Sequence, residues 1–170
     1  MDFLLTEVMV RSAVAQDAKA VLLFLNQVSD ETENLTFSSS DIGLSVKQET
    51  KFLSQAAKDK TFIIAEYRGK IIGSAQLIVP TRERVKRTAV TGISLLKEYW
   101  GKGVSDMLMK HIIERAIDLE LGKINLKVRT DNIRARKFYE RYGFKKEGES
   151  SRMFFINELW ISGTYYGKEL

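Results

Sequence analysis

The segment Trp100-Gly101-Lys102-Gly103-Val104-Ser105 stands between an apolar, strand-like run and an amphipathic, helix-like one. No other stretch constrains the fold as much. Two glycines two residues apart let the backbone turn tightly and approach a ligand, because neither carries a Cβ. The helix behind them adds unpaired N–H groups and the positive end of its dipole. Strand, glycine turn and helix N-terminus in that order make a seat for a phosphate or pyrophosphate. They also constrain topology. A strand that passes through a helix into another strand is a crossover, so the strands around 90–96 and 124–129 are expected to be parallel neighbours.

The rest of the chain fits around that crossover. Residues 7–14 read as a first strand. Asp17 opens a helix on which Val21, Leu22, Leu25 and Val28 recur at helical spacing. Residues 29–43 read as a loop or irregular helix. Ser45-Val46-Lys47-Gln48 has the capping-box pattern, with Phe52, Leu53, Ala56 and Ala57 on one helical face behind it. Thr61–Tyr67 and Lys70–Val79 are strand-like runs joined through Arg68-Gly69, a hairpin turn. Val85–Leu96 is the strand that enters the glycine loop. The following helix carries Val104, Leu108, Ile112, Ala116 and Leu119 as a buried stripe and ends at Gly122. Residues 123–129 alternate apolar and polar, a strand with one buried face. Asn132 caps a short helix running to Tyr142 and closed by Gly143. Residues 147–166 hold one or two final strands. The expected fold class is α/β, a central mixed sheet with helices on both faces, in a single domain over residues 1–170.

Composition narrows the function without naming it. The chain has 44% hydrophobic and 29% charged residues, ordinary for a globular protein. It has no cysteine, which excludes disulfides, thiolate metal sites and a cysteine nucleophile. No metal is expected. No apolar run approaches a membrane span and the amino terminus makes a poor signal peptide, so a cytoplasmic location is expected. A net charge of +5 permits an anionic partner, nucleic acid or a polyphosphorylated cofactor alike.

Two nucleotide loops fail the comparison. A Walker A loop needs Lys-Ser/Thr after its last glycine, and Gly103 is followed by Val104-Ser105. A Rossmann fingerprint needs a third glycine at 106, where Asp106 stands. One strand further on, however, residues 132–144 read Asn-Ile-Arg-Ala-Arg-Lys-Phe-Tyr-Glu-Arg-Tyr-Gly-Phe. This pair resembles the signature of the GNAT N-acetyltransferase superfamily, a Q/R-x-x-G-x-G/A loop followed by an N-x-x-A-x-x-x-Y-x-x-x-G-F helix. The second motif matches at every named position. The first departs twice, with Trp100 for Gln/Arg and Ser105 for the last Gly/Ala. Serine is small enough to keep the close backbone approach, and Trp100 leaves the backbone donors in place.

The resemblance implies a GNAT-like acyl-CoA N-acyltransferase fold, with the parallel strands 90–96 and 124–129 splayed around acetyl-CoA. Backbone groups near Leu95 and Leu96 would pair with the pantetheine arm. N–H groups from Gly101, Lys102, Gly103, Val104 and Ser105, with Asp106 next on the helix, would surround the pyrophosphate. The Lys102 side chain reads equally as a phosphate contact or a solvated lysine. Asn132 caps its helix, touches the pantetheine, or does both. Arg136 or Lys137 is placed to approach the adenosine 3′-phosphate. The reaction is attack of a neutral amine on the thioester, through an oxyanion held by a backbone N–H near Leu95, with Tyr139 as proton donor to the leaving thiolate. On its helix Tyr139 is expected at the edge of a face formed by Ala135, Phe138 and Tyr142.

The acceptor is a primary amine of a small molecule or a protein. No carboxylate lies on the strand 89–96 to serve as base. Glu83 is too far back, and Glu31 and Glu33 read as surface acids able to draw a cation. His111, beside the apolar stripe of its helix, reads as structural. Two rivals stand beside acyl transfer. One is a non-catalytic acyl-CoA-binding module of the same fold, favoured by the missing strand carboxylate and opposed by Tyr139. The other is a nucleic-acid-binding domain, motivated by Arg82, Arg84, Lys86 and Arg87 but lacking a recognisable motif. The resemblance leaves a homodimer through the final strands open.

Overall fold

The structure, a computed structural model, describes residues 2–170. Seven strands and four helices form a mixed α/β fold with strand order β1-β2-β3-β4-β5-β7-β6. The elements are β1 (Val8–Ser12), α1 (Ala18–Glu31), α2 (Val46–Asp59), β2 (Phe62–Tyr67), β3 (Lys70–Ile78), β4 (Thr88–Leu95), α3 (Val104–Asp118), β5 (Lys123–Arg129), α4 (Ile133–Arg141), β6 (Lys145–Ile156) and β7 (Leu159–Glu169). Contacts divide the chain into two compact units, one of Met1–Leu77 with Gly92–Leu119 and one of Ile78–Thr91 with Glu120–Leu170.

In the first unit β1, β2 and β3 are antiparallel neighbours. The β2–β3 hairpin turns through Arg68 (φ +50°) and Gly69 (φ +79°), the left-handed pair a two-residue turn needs. α2 begins as expected: the Ser45 hydroxyl accepts the Gln48 N–H, and the Gln48 side chain accepts the Ser45 N–H at 2.8 Å. Asp17 precedes α1, but its carboxylate is spent earlier. It accepts the Val14 N–H at 2.8 Å and pairs with Arg11 at 2.7 Å, so it closes the short 3₁₀ turn that feeds the helix. The buried face of α1 is Ala18, Val21, Phe24 and Val28, while Leu22 and Leu25 are half-buried. A 3.6-residue period from Val21 passes through Phe24 and Val28, and the unbroken apolar run Val21 to Leu25 obscures which set faces inward. Residues 32–45 are mostly irregular, with one 3₁₀ turn at Ser39–Asp41.

The second unit begins with the first half of β4. There Thr88, Ala89 and Val90 pair in parallel with Lys123, Ile124 and Asn125, and these three pairs are the described extent of the parallel ladder. The crossover thus has the expected sense, with its register at the beginning of both strands. β5 alternates as its sequence requires, burying Ile124, Leu126 and Val128. It pairs along its full length with β7, and β7 with β6 through two bulges. The β6–β7 turn passes through Asn157 and Glu158, both at positive φ. Helix α3 stops earlier than Gly122 suggests. Leu119 is its cap and Glu120 takes the left-handed conformation (φ +53°). Gly122 instead ties two strand ends, donating to the Arg87 carbonyl and accepting from the Leu170 N–H.

Candidate active site

The glycine loop is built from the end of β4. Leu95 and Leu96 are buried and anchor it. A 3₁₀ turn at Lys97–Tyr99 redirects the chain, and Gly101 (φ +74°) and Gly103 (φ +85°) then bring it into α3. Gly103 is the N-cap of α3 and has no side chain with which to cap it. A Cβ at Gly103 would lie 3.0 Å from Leu5 Cδ2, whereas one at Gly101 would meet open space. Val104 is fully buried and fixes the helix, with Ser105 and Asp106 half-buried beside it. The arrangement is a glycine-led helix N-terminus with its backbone donors presented, the form of an anion seat.

Two sequence assignments change in detail. The Lys102 ammonium belongs to an exposed residue. It lies 5.1 Å from the Phe3 ring centroid and 5.7 Å from that of Tyr99, a cation–π placement that holds the loop to the first unit's aromatic cluster. Its backbone N–H turns back to the Tyr99 carbonyl at 3.4 Å. Trp100, where the motif has Gln/Arg, donates its indole N–H to the Leu95 carbonyl at 2.7 Å. The Leu96 N–H is held by the Ile72 carbonyl at 3.0 Å. The end of β4 is therefore fixed by its own neighbours, and Trp100 has a positive role that the motif comparison missed. An indole five residues after a strand-end carbonyl was the available signal.

In the second unit, Asn132 caps α4 by accepting the Ala135 N–H at 3.1 Å. Gly143 closes the helix at φ +82°. Tyr139 is not at an edge. It is the buried residue of α4, 9% exposed, while Ala135, Phe138 and Tyr142 are half-buried. Its ring packs against Phe138 and Phe144, at 5.4 and 5.7 Å between centroids. Burial alone pushes its phenol up to about 12, so it keeps its proton throughout the neutral range. Arg136 donates to the Thr130 carbonyl at 2.9 Å and to the Tyr166 hydroxyl at 3.2 Å, which ties α4 to β7. Lys137 is exposed.

The acids also sort themselves. Glu31 is more than a surface acid, since its Oε2 accepts the Lys97 N–H at 2.6 Å. Glu33 is exposed, and Glu83 pairs with Lys86 at 2.9 Å. Glu49, not considered from the sequence, is buried on α2 with only 2% exposed. The signal was its spacing, four and seven residues before the buried Leu53 and Ala56. His111 is exposed on α3, with Nδ1 3.1 Å from the Met107 carbonyl, as a structural histidine would be.

Residues 28–144 match the model of the Acetyltransferase (GNAT) family. The chain belongs to the GNAT acetyltransferase family. Both motifs lie within the matched residues. The GNAT chain is 29% identical over 107 residues to an L-amino acid N-acetyltransferase of Escherichia coli (strain K12), covering 62% of this chain and 66% of that protein. It spans less than two thirds of the length of this relative and of a second curated N-acetyltransferase, 66% and 57% respectively. An acetyltransferase of the GNAT family from Streptococcus pneumoniae has a solved structure that superposes with a TM-score of 0.93 at 30% identity, covering 96% of this chain and 100% of that one. The structure of yncA from Salmonella typhimurium, described with its cofactor acetyl-CoA, shares the GNAT fold with a TM-score of 0.83 at 13% identity, covering 96% and 94%. Among the described residues no helix is long and apolar enough to cross a membrane.

Proposed function

We propose that this chain is an acetyl-CoA-dependent N-acetyltransferase that passes the acetyl group directly to a primary amine of a small molecule or a protein, without an acyl-enzyme. The observation that carries the reading is the uncapped, glycine-led N-terminus of α3, in a chain of this family. Both compact units contribute to the matched stretch 28–144, which supports reading residues 1–170 as one catalytic domain.

On this reading the N–H groups of Gly101, Gly103, Val104 and Ser105, with Asp106 following, hold the pyrophosphate of acetyl-CoA, while the Lys102 N–H stays on the Tyr99 carbonyl. The main chain at Leu95 and Leu96 runs beside the pantetheine arm, and the Leu95 N–H receives the oxyanion. Asn132 keeps its cap and lends its amide to the pantetheine. The amine nitrogen attacks the thioester carbon, the C–N bond forms, and collapse of the oxyanion breaks the C–S bond. The departing thiolate takes a proton from the Tyr139 hydroxyl, which burial has kept fully protonated. The curated relatives are named for L-amino acids, for spermidine and for the ribosome, which supports an amine acceptor of either small-molecule or protein class. The reading places the reaction in the cytoplasm.

A thiol-release assay with acetyl-CoA against a panel of amino acids, polyamines and peptides tests it. Amine-dependent release is the expected result. Saturable coenzyme A binding with no release for any amine would favour a non-catalytic module, and absence of coenzyme A binding would end the reading.

A further inference from the structure

Glu49 is a buried residue whose carboxylate meets no cation among the described residues. It sits in the first turn of α2 on the face that carries Leu53 and Ala56, and it is 2% exposed. Among the described residues no hydrogen bond or ion pair reaches its carboxyl group, and burial raises its pKa above the ordinary carboxylate value. An ionised carboxylate left unpaired in such a place costs stability, and a neutral leucine would pack there at no such cost. Carboxylates perturbed in this way cluster at functional sites.

Its place in the fold gives the ligand. Helix α2 leads through Thr61 into Phe62, whose carbonyl accepts the Ala13 N–H at 2.9 Å, just before α1 begins. The end of α2 therefore lies at the start of α1. The two helices pack on each other, and an antiparallel course from that shared end would bring the first turn of α2 toward the last turns of α1, Val28 to Glu31. From there Glu31 reaches the Lys97 N–H at 2.6 Å, directly after the buried pair Leu95 and Leu96. Glu49 is thus the buried acid carried toward the end of β4, the strand on which the sequence showed no carboxylate.

We propose that Glu49 receives the ammonium group of the acceptor and takes the proton whose removal frees the attacking amine. The inference rests on the N-acetyltransferase reading and adds its missing base. The ammonium gives one proton to the Glu49 carboxylate. The neutral nitrogen then forms the C–N bond, the C–S bond breaks, and the sulfur leaves as the protonated thiol. One proton per amide formed is released in total. The other ionisable groups on elements packed against α2 do not compete for the role. Asp17 and Glu66 are committed to Arg11, Glu31 to the Lys97 N–H, and Lys19 and Asp30 are exposed, while Tyr67 has its ring against Phe3 and Tyr99. On α2 itself Lys47, Lys51 and Lys58 are exposed.

The test is Glu49→Gln, which keeps the shape and removes the base. Coenzyme A affinity by calorimetry is expected to stay within about twofold of wild type, and kcat/KM for the amine to fall about 100-fold or more. Wild-type kcat/KM should show an acid limb above the usual carboxylate range, and that limb should vanish in the glutamine variant. Glu49→Asp, which keeps a carboxylate on a shorter stem, should retain the limb at reduced kcat/KM. It serves as the second variant should the glutamine form fail to fold. A glutamine variant within threefold of wild type, or one that is slow with its acid limb intact, overturns the proposal. So does an aspartate variant that lacks the limb. A wild-type protein that neither binds coenzyme A nor releases thiol overturns the acetyltransferase reading itself, and this inference with it. The two failures are thus separate.

Discussion

A phenol and an indole carry the most specific chemistry at the scale of single residues. Tyr139 is buried against Phe138 and Phe144, and its pKa is pushed up to about 12 by that burial. A phenol with its pKa raised in this way keeps its proton across the neutral range and so stands ready as a donor. Tyr139→Phe should therefore lower kcat by about 10²–10⁴-fold while coenzyme A affinity holds, measured by thiol release and calorimetry. The same burial has a stability consequence with a definite sign. The folded phenol titrates above the unfolded one, so its contribution is complete below about pH 10 and is lost as pH rises toward 12. Wild-type unfolding free energy should fall across that window by up to about 3 kcal/mol more than that of Tyr139→Phe. Trp100 makes a different case. Removing its indole N–H leaves the Leu95 carbonyl without its 2.7 Å donor in a buried strand end. Trp100→Phe should cost about 1–3 kcal/mol in denaturant unfolding and, on the proposed placement of the pantetheine along this strand, raise KM for acetyl-CoA.

Among the secondary-structure elements, legibility followed how local the cause was. The capping box at Ser45, the Arg68-Gly69 turn, the alternation of β5 and the Asn132 cap each depend on residues within a few positions, and each stands where the sequence put it. The buried face of α1, the end of α3 and the depth of Tyr139 depend on what packs against them from elsewhere. The unbroken apolar run Val21 to Leu25 offers α1 more than one inward face. Gly122 was taken for a helix end because glycine adopts left-handed φ easily, yet Glu120 takes it and Gly122 serves two strand ends. Glu49 was hidden for a similar reason, since a glutamate on an apolar helical face reads as exposed until its neighbours close over it. The glycine loop itself was legible because its geometry is made by its own residues. It yields a graded prediction. Gly101 and Gly103 both have left-handed φ, which costs an alanine about 1–2 kcal/mol. A Cβ at 103 also meets Leu5 at 3.0 Å, and one at 101 meets nothing. Gly103→Ala should lower the melting temperature more than Gly101→Ala does, and the gap should narrow when Leu5→Ala is added.

The charge of the whole molecule decides how it meets an anion. A net charge of +5 is compatible with either a nucleic acid or a coenzyme, and the basic run 82–87 made the former worth considering. The structure weakens that run. Lys86 lies 2.9 Å from Glu83, and Arg87 lies 3.8 Å from Glu120, so part of its charge is already answered. Lys102, the one basic residue inside the glycine loop, is held over Phe3 and Tyr99. What remains for a coenzyme is a set of backbone N–H dipoles close to the phosphates, aided by a diffuse positive field. Short-range dipoles are little affected by salt, whereas the field is screened over about 10 Å at 0.1 M and about 3 Å at 1 M. Coenzyme A should therefore bind only a few-fold more weakly at 500 mM than at 50 mM NaCl, with the change in the association rate and not in kcat. A protein that used its basic residues to neutralise several phosphates of RNA would instead lose about 10³-fold or more over a comparable range, because each neutralised phosphate releases a counterion. Calorimetry of both ligands across that salt series separates the two, and a steep RNA slope beside salt-sensitive, weak coenzyme A binding would move the function away from acyl transfer.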